Sequence, residues 1–328
     1  MSAQYGWSAS SVLGYELVLP NATITTVTAS SDPDLFKSLK GGGNNFGVVT
    51  TYILQAHPQG LVWGGNLAFL RTPSKDAKLL KAVRDFTEYN TDPKAAVIVT
   101  AERTNVNLVD SWILFLFYDG PTPTPGLFTN FTSLGPIVNT LHTRTYADLM
   151  AFSNWVIVPA SIVTIGTETI PLPSSGNQDI LTSIHAHWRN VSSTVLAVPG
   201  VIASIAFQPF PKAIAAEALS RSPDLIDCDA DADRMIIEIN YSFLLPSDYE
   251  RMSDTMEATY TGVRERVLAG QQAGRLPDVY LPLFMNYGFY RQDYFGRLKA
   301  GSRALAHEVA ERVDPGGLFR GRTGGWKP

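Results

Sequence analysis

The chain has 328 residues, 45% of them hydrophobic, and carries a formal net charge of −4 at pH 7. Its length predicts two domains, or one elaborate domain, with a large core. Because basic clusters are missing and no apolar run is long enough to span a bilayer, the composition argues against nucleic acid or a membrane as the main partner.

The first predicted elements are a β-hairpin and a short helix. Two β-rich runs, "YELVLP" and "TITTVTA", flank Asn21 and Ala22, and this spacing is typical of a hairpin. A helix follows, with Ser30 or Ser31 as its cap and Pro33 in its first turn. The glycines of "KGGG" end that helix, because glycine is the usual residue just past a helix C-terminus.

A glycine cluster, "KGGGNNFG", lies between this helix and an extended run, "FGVVTTYILQAHP", that ends at Pro58. In dinucleotide-binding folds the glycines follow a strand and open a helix, so that phosphate meets a helix N-terminus. Here the order is reversed, which argues against a Rossmann or P-loop site. The cluster instead predicts a backbone turn without Cβ atoms that caps the helix, lets a ligand lie against bare amides, or does both.

The middle of the chain has the pattern of a second domain. Helices are predicted from Ser74 to Asn90, at "GNQDILTSIHAHWRNVSS", and from Ser247, where Glu250 three positions later completes a capping box. The strand-like runs are "AAVIVTAER", "SWILFLFYDG", "GVIASIAFQPFP" and "RMIIEINYSFLLP". Long antiparallel strands beside helices predict an α+β layer.

The last segment contains an aromatic-rich loop, residues 284–294, and a predicted helix from about Phe295 to Val313. Asp314 and Pro315 end that helix, because the residue before a proline avoids helical geometry. At the other end of the chain we see no charged and apolar regions of a signal peptide, and the compartment is left open.

Two separated segments resemble a known family. "GYELVLPNATITTVTASSDPDLFKSLKGGGNNFGVVTTYILQAHP" is similar to the second half of the flavin domain in berberine-bridge-type FAD-linked oxidases of the vanillyl-alcohol-oxidase superfamily, where "YEVVLADG…NPDLFWALKGGGGNFGIVT" is typical. "MNYGFYRQDYFGRLKAGSRALAHEVAERVDPGGLF" resembles the closing segment of that family, with its Asn-Tyr loop and Asp-Pro-x-x-x-Phe end. The likeness covers nearly all of the chain, weakly in the middle.

The resemblance implies an α+β fold in three segments. Residues 1–58 would be the second half of a PCMH-type FAD-binding domain, 59–274 an antiparallel-sheet substrate domain flanked by helices, and 275–328 a berberine-bridge-like segment returning to the FAD domain. Main-chain groups of the glycine bend would contact FAD, and Asn286 would reach the flavin ring. The implied FAD contacts are Gly42, Gly43, Asn44, Asn45, Phe46, Gly47, Val48, Val49 and Asn286.

The sequence also departs from the family pattern, and this departure decides how complete a flavin site we expect. The family's Arg-x-Gly-Gly-His phosphate loop and its covalently flavinylated histidine have no match in this sequence. The resemblance therefore implies an incomplete site, with FAD non-covalent or absent in this chain. We expect one of three things: a truncated FAD-linked oxidase, a flavin-independent cyclase or isomerase acting on a natural product, or an inactive remnant or partner of a second chain that supplies the flavin half.

Two residues are candidates for catalytic proton transfer. Tyr287 stands beside Asn286 in the aromatic loop, where it could act as a base over the flavin or serve as a packing aromatic. Glu238 lies in "MIIEINYSF", where period two places Ile236, Glu238 and Asn240 on one face. A carboxylate in an apolar strand should have a raised pKa, and the alternative is a solvent-facing residue of an edge strand.

A small-molecule substrate is expected, either an alcohol, a sugar or a secondary metabolite. Gln208 and Asn240 are the predicted substrate contacts, with Ser204 on the same strand face as Gln208. Hydrogen bonding inside the protein would explain Gln208 equally well.

No metal site is predicted. His185 and His187 are two positions apart on a helix, so their side chains point about 200° apart and share one ion poorly. The acidic run from Asp227 to Asp233 lacks the glycine and the final glutamate of a calcium loop. The single cysteine, Cys228, excludes an internal disulfide and is interpreted as a lone thiol.

Overall fold

The computed structural model describes residues 1–104, 108–152 and 159–328. The chain divides into two compact units. The sheet unit comprises residue 1, Gln59–Pro211 and Ala232–Val279, and the terminal unit comprises Ser2–Pro58, Lys212–Asp231 and Tyr280–Pro328. The terminal unit thus includes residues 212–231, which the predicted boundaries assign to the middle segment, while the functions assigned to the three segments stay predictions.

Strands and helices are interspersed along the described chain. The strands are β1 (Val12–Val18), β2 (Ile24–Thr28), β3 (Val48–Leu54), β4 (Val62–Leu70), β5 (Ala95–Thr104), β6 (Asp110–Tyr118), β7 (Val138–Asn139), β8 (His142–Arg144), β9 (Ile162–Pro171), β10 (Ile202–Phe210) and β11 (Arg234–Phe243). The helices are α1 (Ser2–Tyr5), α2 (Pro33–Leu39), α3 (Pro73–Tyr89), α4 (Thr129–Thr132), α5 (Tyr146–Phe152), α6 (Asp179–Ser193), α7 (Lys212–Arg221), α8 (Tyr249–Gln272), α9 (Ala300–Val313) and α10 (Leu318–Arg322).

The terminal unit is built on an antiparallel sheet of order β2-β1-β3. The predicted hairpin is confirmed, because Val18 pairs with Ile24 and Ala22 takes a positive φ of 65° in the turn between them. The buried side chains of β1 pack on α2 and α9. This core includes Tyr15, Leu17, Val27, Leu35, Phe36, Phe46, Leu283, Tyr294, Phe295, Ala306 and Val309.

The sheet unit is an antiparallel sheet with helices α3, α6 and α8 packed on it. Its described strands run in the order β7-β4-β6-β5-β10-β11-β9, with β8 paired to β4. Trp112, Phe207 and Tyr241 are fully buried on the face that the helices cover. The predicted α+β class with long antiparallel strands is confirmed.

Several predicted helix ends differ from the structure. The cap of α2 is Asp32, whose carboxylate accepts from the Leu35 amide at 3.1 Å, and neither Ser30 nor Ser31 caps it. Ser31 instead accepts a hydrogen bond from the Thr28 amide and closes the turn after β2. Side-chain oxygens compete for nearby backbone amides in such a polar stretch, so the sequence alone does not decide which residue caps the helix.

Helices α8 and α9 also start later than predicted. The expected capping box is wrong: α8 begins at Tyr249, and no side chain caps it. The last long helix begins at Ala300, because Phe295–Arg297 form a separate 3-10 turn. No helix in the described part of the chain is long and apolar enough to cross a membrane.

Candidate functional site

The face of the sheet opposite α3, α6 and α8 carries the candidate polar residues of the sheet unit. On β11, Ile237, Ile239 and Tyr241 are fully buried against the helices, whereas Glu238 and Asn240 are half-buried on the other face. The predicted period-two alternation is therefore confirmed. We call this second surface, which carries Glu238 and its neighbours on β5 and β10, the polar face.

Glu238 lies in the interior of the sheet. Strand β11 pairs with β10 on one side and with β9 on the other, so the interpretation of Glu238 as a residue of an edge strand is wrong. Burial raises the pKa of the Glu238 carboxyl to about 6, while the hydrogen bond from Gln208 Nε2, 2.7 Å from Oε2, acts in the opposite direction. A carboxyl group with this pKa exchanges protons near neutral pH, as a general base must.

Three more polar residues share the polar face. Ser204 pairs directly with Asn240 on β11 and with Glu102 on β5. Direct cross-strand partners point to the same side of a sheet, so these side chains lie next to one another. Sequence reasoning missed Glu102, although the run "VIVTAER" shows the same alternation as β11. Its importance emerges only from the register, which sets Glu102 beside Ser204.

In the terminal unit, two glycines of the bend are required by packing. A Cβ atom on Gly42 would overlap the Phe46 ring and the Ser38 carbonyl oxygen. At Gly47, where φ is 154°, a Cβ would lie 2.8 Å from the Leu17 side chain. Close packing inside the terminal unit therefore explains why these two positions are glycine.

Asn45 holds the bend to the C-terminal end of the chain. Its Nδ2 atom donates to the carbonyl oxygens of Gly42 at 2.7 Å and Trp326 at 2.9 Å, and Lys327 Nζ donates to Oδ1 at 3.2 Å. The Tyr294 hydroxyl adds a 2.6 Å hydrogen bond to the Gly41 carbonyl. The terminal segment therefore returns to the glycine bend, as the family resemblance implies.

The outward side of the bend is where a flavin could be received. Gly43 and Asn44 are exposed, and a Cβ on Gly43, where φ is 67°, would meet only Asn45 Nδ2 at 3.7 Å and Met285 Cε at 3.8 Å. Met285 precedes Asn286, which is also exposed. The bend therefore presents open backbone beside the Asn-Tyr segment, whereas Asn45 and the buried Phe46 serve the interior.

The other predicted contacts in this unit stay predictions. Val48 is exposed at the start of β3, and Val49 is half-buried in the sheet. Tyr287 is half-buried at the end of a 3-10 turn, with its ring edge-on to Phe284 at 5.0 Å. Tyr287 and Asn286 belong to the terminal unit, whereas Glu238, Gln208 and Asn240 belong to the sheet unit.

The two helical histidines occupy different environments. His185 is buried between Trp112 and Trp188, and its burial lowers the imidazole pKa to about 4. His187 Nε2 faces the carbonyl oxygens of Ala258 and Thr259, 3.2 Å from each. Each ring thus has its own packing or hydrogen-bonding role within the helical layer. Cys228 is buried in the terminal unit.

Comparison with solved structures identifies the fold. 6-Hydroxy-D-nicotine oxidase from Arthrobacter nicotinovorans superposes with a TM-score of 0.71 at 18% identity, covering 97% of this chain and 66% of the oxidase. Berberine bridge enzyme from Eschscholzia californica superposes with a TM-score of 0.69 at 12% identity, with the same coverage. The chain has the fold of the berberine-bridge-type FAD-linked oxidoreductases. The fold that the resemblance implies is therefore confirmed.

The sequence relatives of this chain include fungal FAD-linked proteins. An uncharacterised FAD-linked oxidoreductase of Arthroderma benhamiae is 36% identical over 330 residues, spanning 100% of this chain and 65% of the relative. A FAD-dependent monooxygenase of Aspergillus calidoustus is 25% identical over 334 residues, spanning 99% of this chain and 61% of the relative. The chain thus spans a little under two thirds of the length of these relatives. No family model matches the sequence.

Proposed function

We propose that the chain is the substrate-binding and partial flavin-binding portion of a FAD-linked oxidoreductase that acts on a small alcohol, sugar or secondary metabolite. The observation that carries this proposal is the similarity along the whole chain to a FAD-linked oxidoreductase, at 36% identity, together with the shared fold. The open backbone at Gly43 and Asn44 supports it, because bare amides allow a cofactor to approach closely.

The residues of this chain divide into two roles under the proposal. Gly43, Asn44 and Asn286 would hold the flavin, which supplies an acceptor for hydride when it is bound. Glu238 would remove the proton from the substrate, since its pKa of about 6 leaves the carboxylate ionised at neutral pH. Gln208 would orient that carboxylate through the hydrogen bond at 2.7 Å.

Absorption spectroscopy of the purified chain tests the cofactor part of the proposal. We expect added FAD to bind non-covalently, giving an absorbance near 450 nm that is retained after desalting. Gly43→Val should abolish this absorbance, because a branched side chain at a φ of 67° is strained and would cover the open backbone. Gly60→Val is the control, since nothing lies within 4 Å of a Cβ at Gly60. No retained flavin in the wild-type chain would count against binding by this chain alone.

A second candidate function is a flavin-independent cyclase or isomerase. Glu238 favours it, because a desolvated carboxyl group with a pKa of about 6 can both accept and donate a proton near neutral pH. A colourless preparation that converts a polyene or iminium substrate, and loses this activity in Glu238→Gln, would favour the isomerase over the oxidase.

A further inference from the structure

Three half-buried polar side chains stand side by side across the polar face of the sheet unit. Ser204 on β10 is the middle residue, paired with Glu102 on β5 and with Asn240 on β11. The Cβ atoms of such direct partners are about 4.5–5.5 Å apart, so the three residues form one continuous row, which we name the polar row. All three strands are interior strands of the sheet.

The polar row has no hydrogen-bonding role inside the described protein. None of its three side chains forms a hydrogen bond or an ion pair with another described residue. Gln208 and Glu238, which lie further along the same face, differ because they are hydrogen-bonded to each other. Because their hydrogen-bonding groups are not used within the described protein, these three side chains are available to bind a ligand.

Among the described residues, no positive charge compensates Glu102. Its neighbour Arg103 points to the helical face, where its guanidinium donates to the Arg189 carbonyl oxygen at 2.7 Å and to Ser193 Oγ at 3.0 Å. Burial raises the pKa of the Glu102 carboxyl, and no cation in the part of the chain that the structure describes opposes this shift. A fully hydrated surface carboxylate would not show this shift, so the Glu102 carboxyl is partly removed from water.

We propose that the polar row binds the protonated amine of a substrate, with Glu102 as its counter-ion and Ser204 and Asn240 as flanking acceptors. An ammonium group has three N–H donors and no acceptor, and the row offers a carboxylate, a hydroxyl and an amide oxygen to match them. A cationic ligand also compensates the desolvated charge of Glu102. The inference deepens the proposed function and rests on it for the meaning of the row as a substrate contact.

Ligand-observed NMR on the full chain tests this proposal with two matched probes, benzylamine and benzyl alcohol, at pH 7.5. We expect the wild-type chain to bind benzylamine more tightly than benzyl alcohol. Glu102→Gln should weaken benzylamine binding at least about tenfold while changing the affinity for benzyl alcohol less than about twofold. Asn240→Ala should weaken benzylamine binding by a smaller factor. A loss of folding would affect both probes equally, so the difference between them reports on charge.

Glu265→Gln is the control, since Glu265 is an exposed carboxylate on α8 of the same unit. It should leave both affinities unchanged. Equal binding of the two probes by the wild-type chain, no binding of either, or unchanged benzylamine binding in Glu102→Gln would each overturn the proposal. None of these measurements needs flavin. If the chain retains flavin but does not bind benzylamine, only the proposal for the polar row is contradicted. If the chain binds benzylamine but retains no flavin, only the flavin proposal is contradicted.

Discussion

At the scale of single residues, burial rather than charge pairing controls the candidate chemistry. The Glu238 carboxyl is removed from water by an interior strand position, and a single neutral hydrogen bond from Gln208 compensates it in part. Lys40 follows the same rule in the terminal unit, where burial lowers its pKa to about 8 although its ammonium donates to Ser222 Oγ at 2.7 Å. Both groups are therefore poised to change charge closer to neutral pH than their free counterparts.

Glu238 should make the stability of the chain depend on pH. Its folded-state pKa of about 6 exceeds the ordinary value of 4.5, so the folded state binds more protons than the unfolded state between these values. The free energy of unfolding should therefore fall as pH rises from about 4.5 to about 6 and should show no further loss from this group above that. Glu238→Gln should remove about 1 to 2 kcal/mol of this fall, measured by urea unfolding at pH 4.5 and 7.

Glu265→Gln should keep the wild-type pH dependence, because it changes an exposed carboxylate of the same unit. Other desolvated carboxyls, such as the half-buried Glu102, also make the free energy of unfolding fall as pH rises. The test therefore compares the pH dependence of each variant with that of the wild-type chain. A Glu238→Gln variant with the same slope as the wild-type chain would contradict the raised pKa.

At the scale of elements, close helix packing in the sheet unit depends on small residues. A Cβ on Gly262 of α8 would overlap the ring of His187 on α6. A Cβ on Gly166 of β9 would lie 2.5 Å from Met256 Sδ on α8. These two glycines allow α8 to approach both α6 and β9, and so they hold the helical layer against the buried face of the sheet.

Gly262→Ala should destabilise the chain by about 1 to 3 kcal/mol, because the added methyl group must displace a packed imidazole ring. The measurement is the midpoint and slope of urea unfolding. Gly301→Ala, on the exposed start of α9 where a Cβ meets nothing within 4 Å, is the control and should not lose stability, since alanine is the better helix former. Equal effects of the two substitutions would refute the packing argument.

At the scale of the whole molecule, the chain matches only part of the length of the proteins it resembles. It covers 65% of its relative from Arthroderma benhamiae and 66% of a solved oxidase. In the terminal unit, β3 pairs only with β1 among the described strands, and most of its side chains are exposed. Val48, Tyr52 and Leu54 are each more than half exposed, which is unusual for apolar side chains of a strand.

The exposed side chains of β3 should drive self-association of the isolated chain. The double variant Val48→Thr and Leu54→Thr should lower the apparent mass at a given concentration, because threonine keeps the strand preference and removes apolar surface. Light scattering over a concentration series measures this. Leu70→Thr is the control: Leu70 is 62% exposed at the end of β4 in the other unit. A wild-type chain that stays monomeric throughout would show the prediction to be wrong.

Local patterns in the sequence were sufficient for part of the fold. The hairpin around Asn21 and Ala22 and the two-sided character of β11 were predicted because turn residues and period-two alternation are properties of neighbouring positions. Caps were predicted less well, since Asp32 and Ser31 compete for amides within one short turn. Strands β4 and β9 were missed: glycines interrupt "VWGGNLAFL" and "IVTIGTETIP", and such runs gain strand structure mainly from their neighbours.

By itself, the sequence determined the family likeness, the α+β class and the side of β11 on which Glu238 lies. Only the tertiary structure decided that Glu238 sits on an interior strand, that Glu102 completes a row with Ser204 and Asn240, and why the bend needs Gly42. Each of these depends on partners far away in the chain; Asn45 and Trp326, for example, meet across 281 positions. Contacts between such distant residues form when strands pair and the core packs, so they cannot be predicted from the pattern of neighbouring residues.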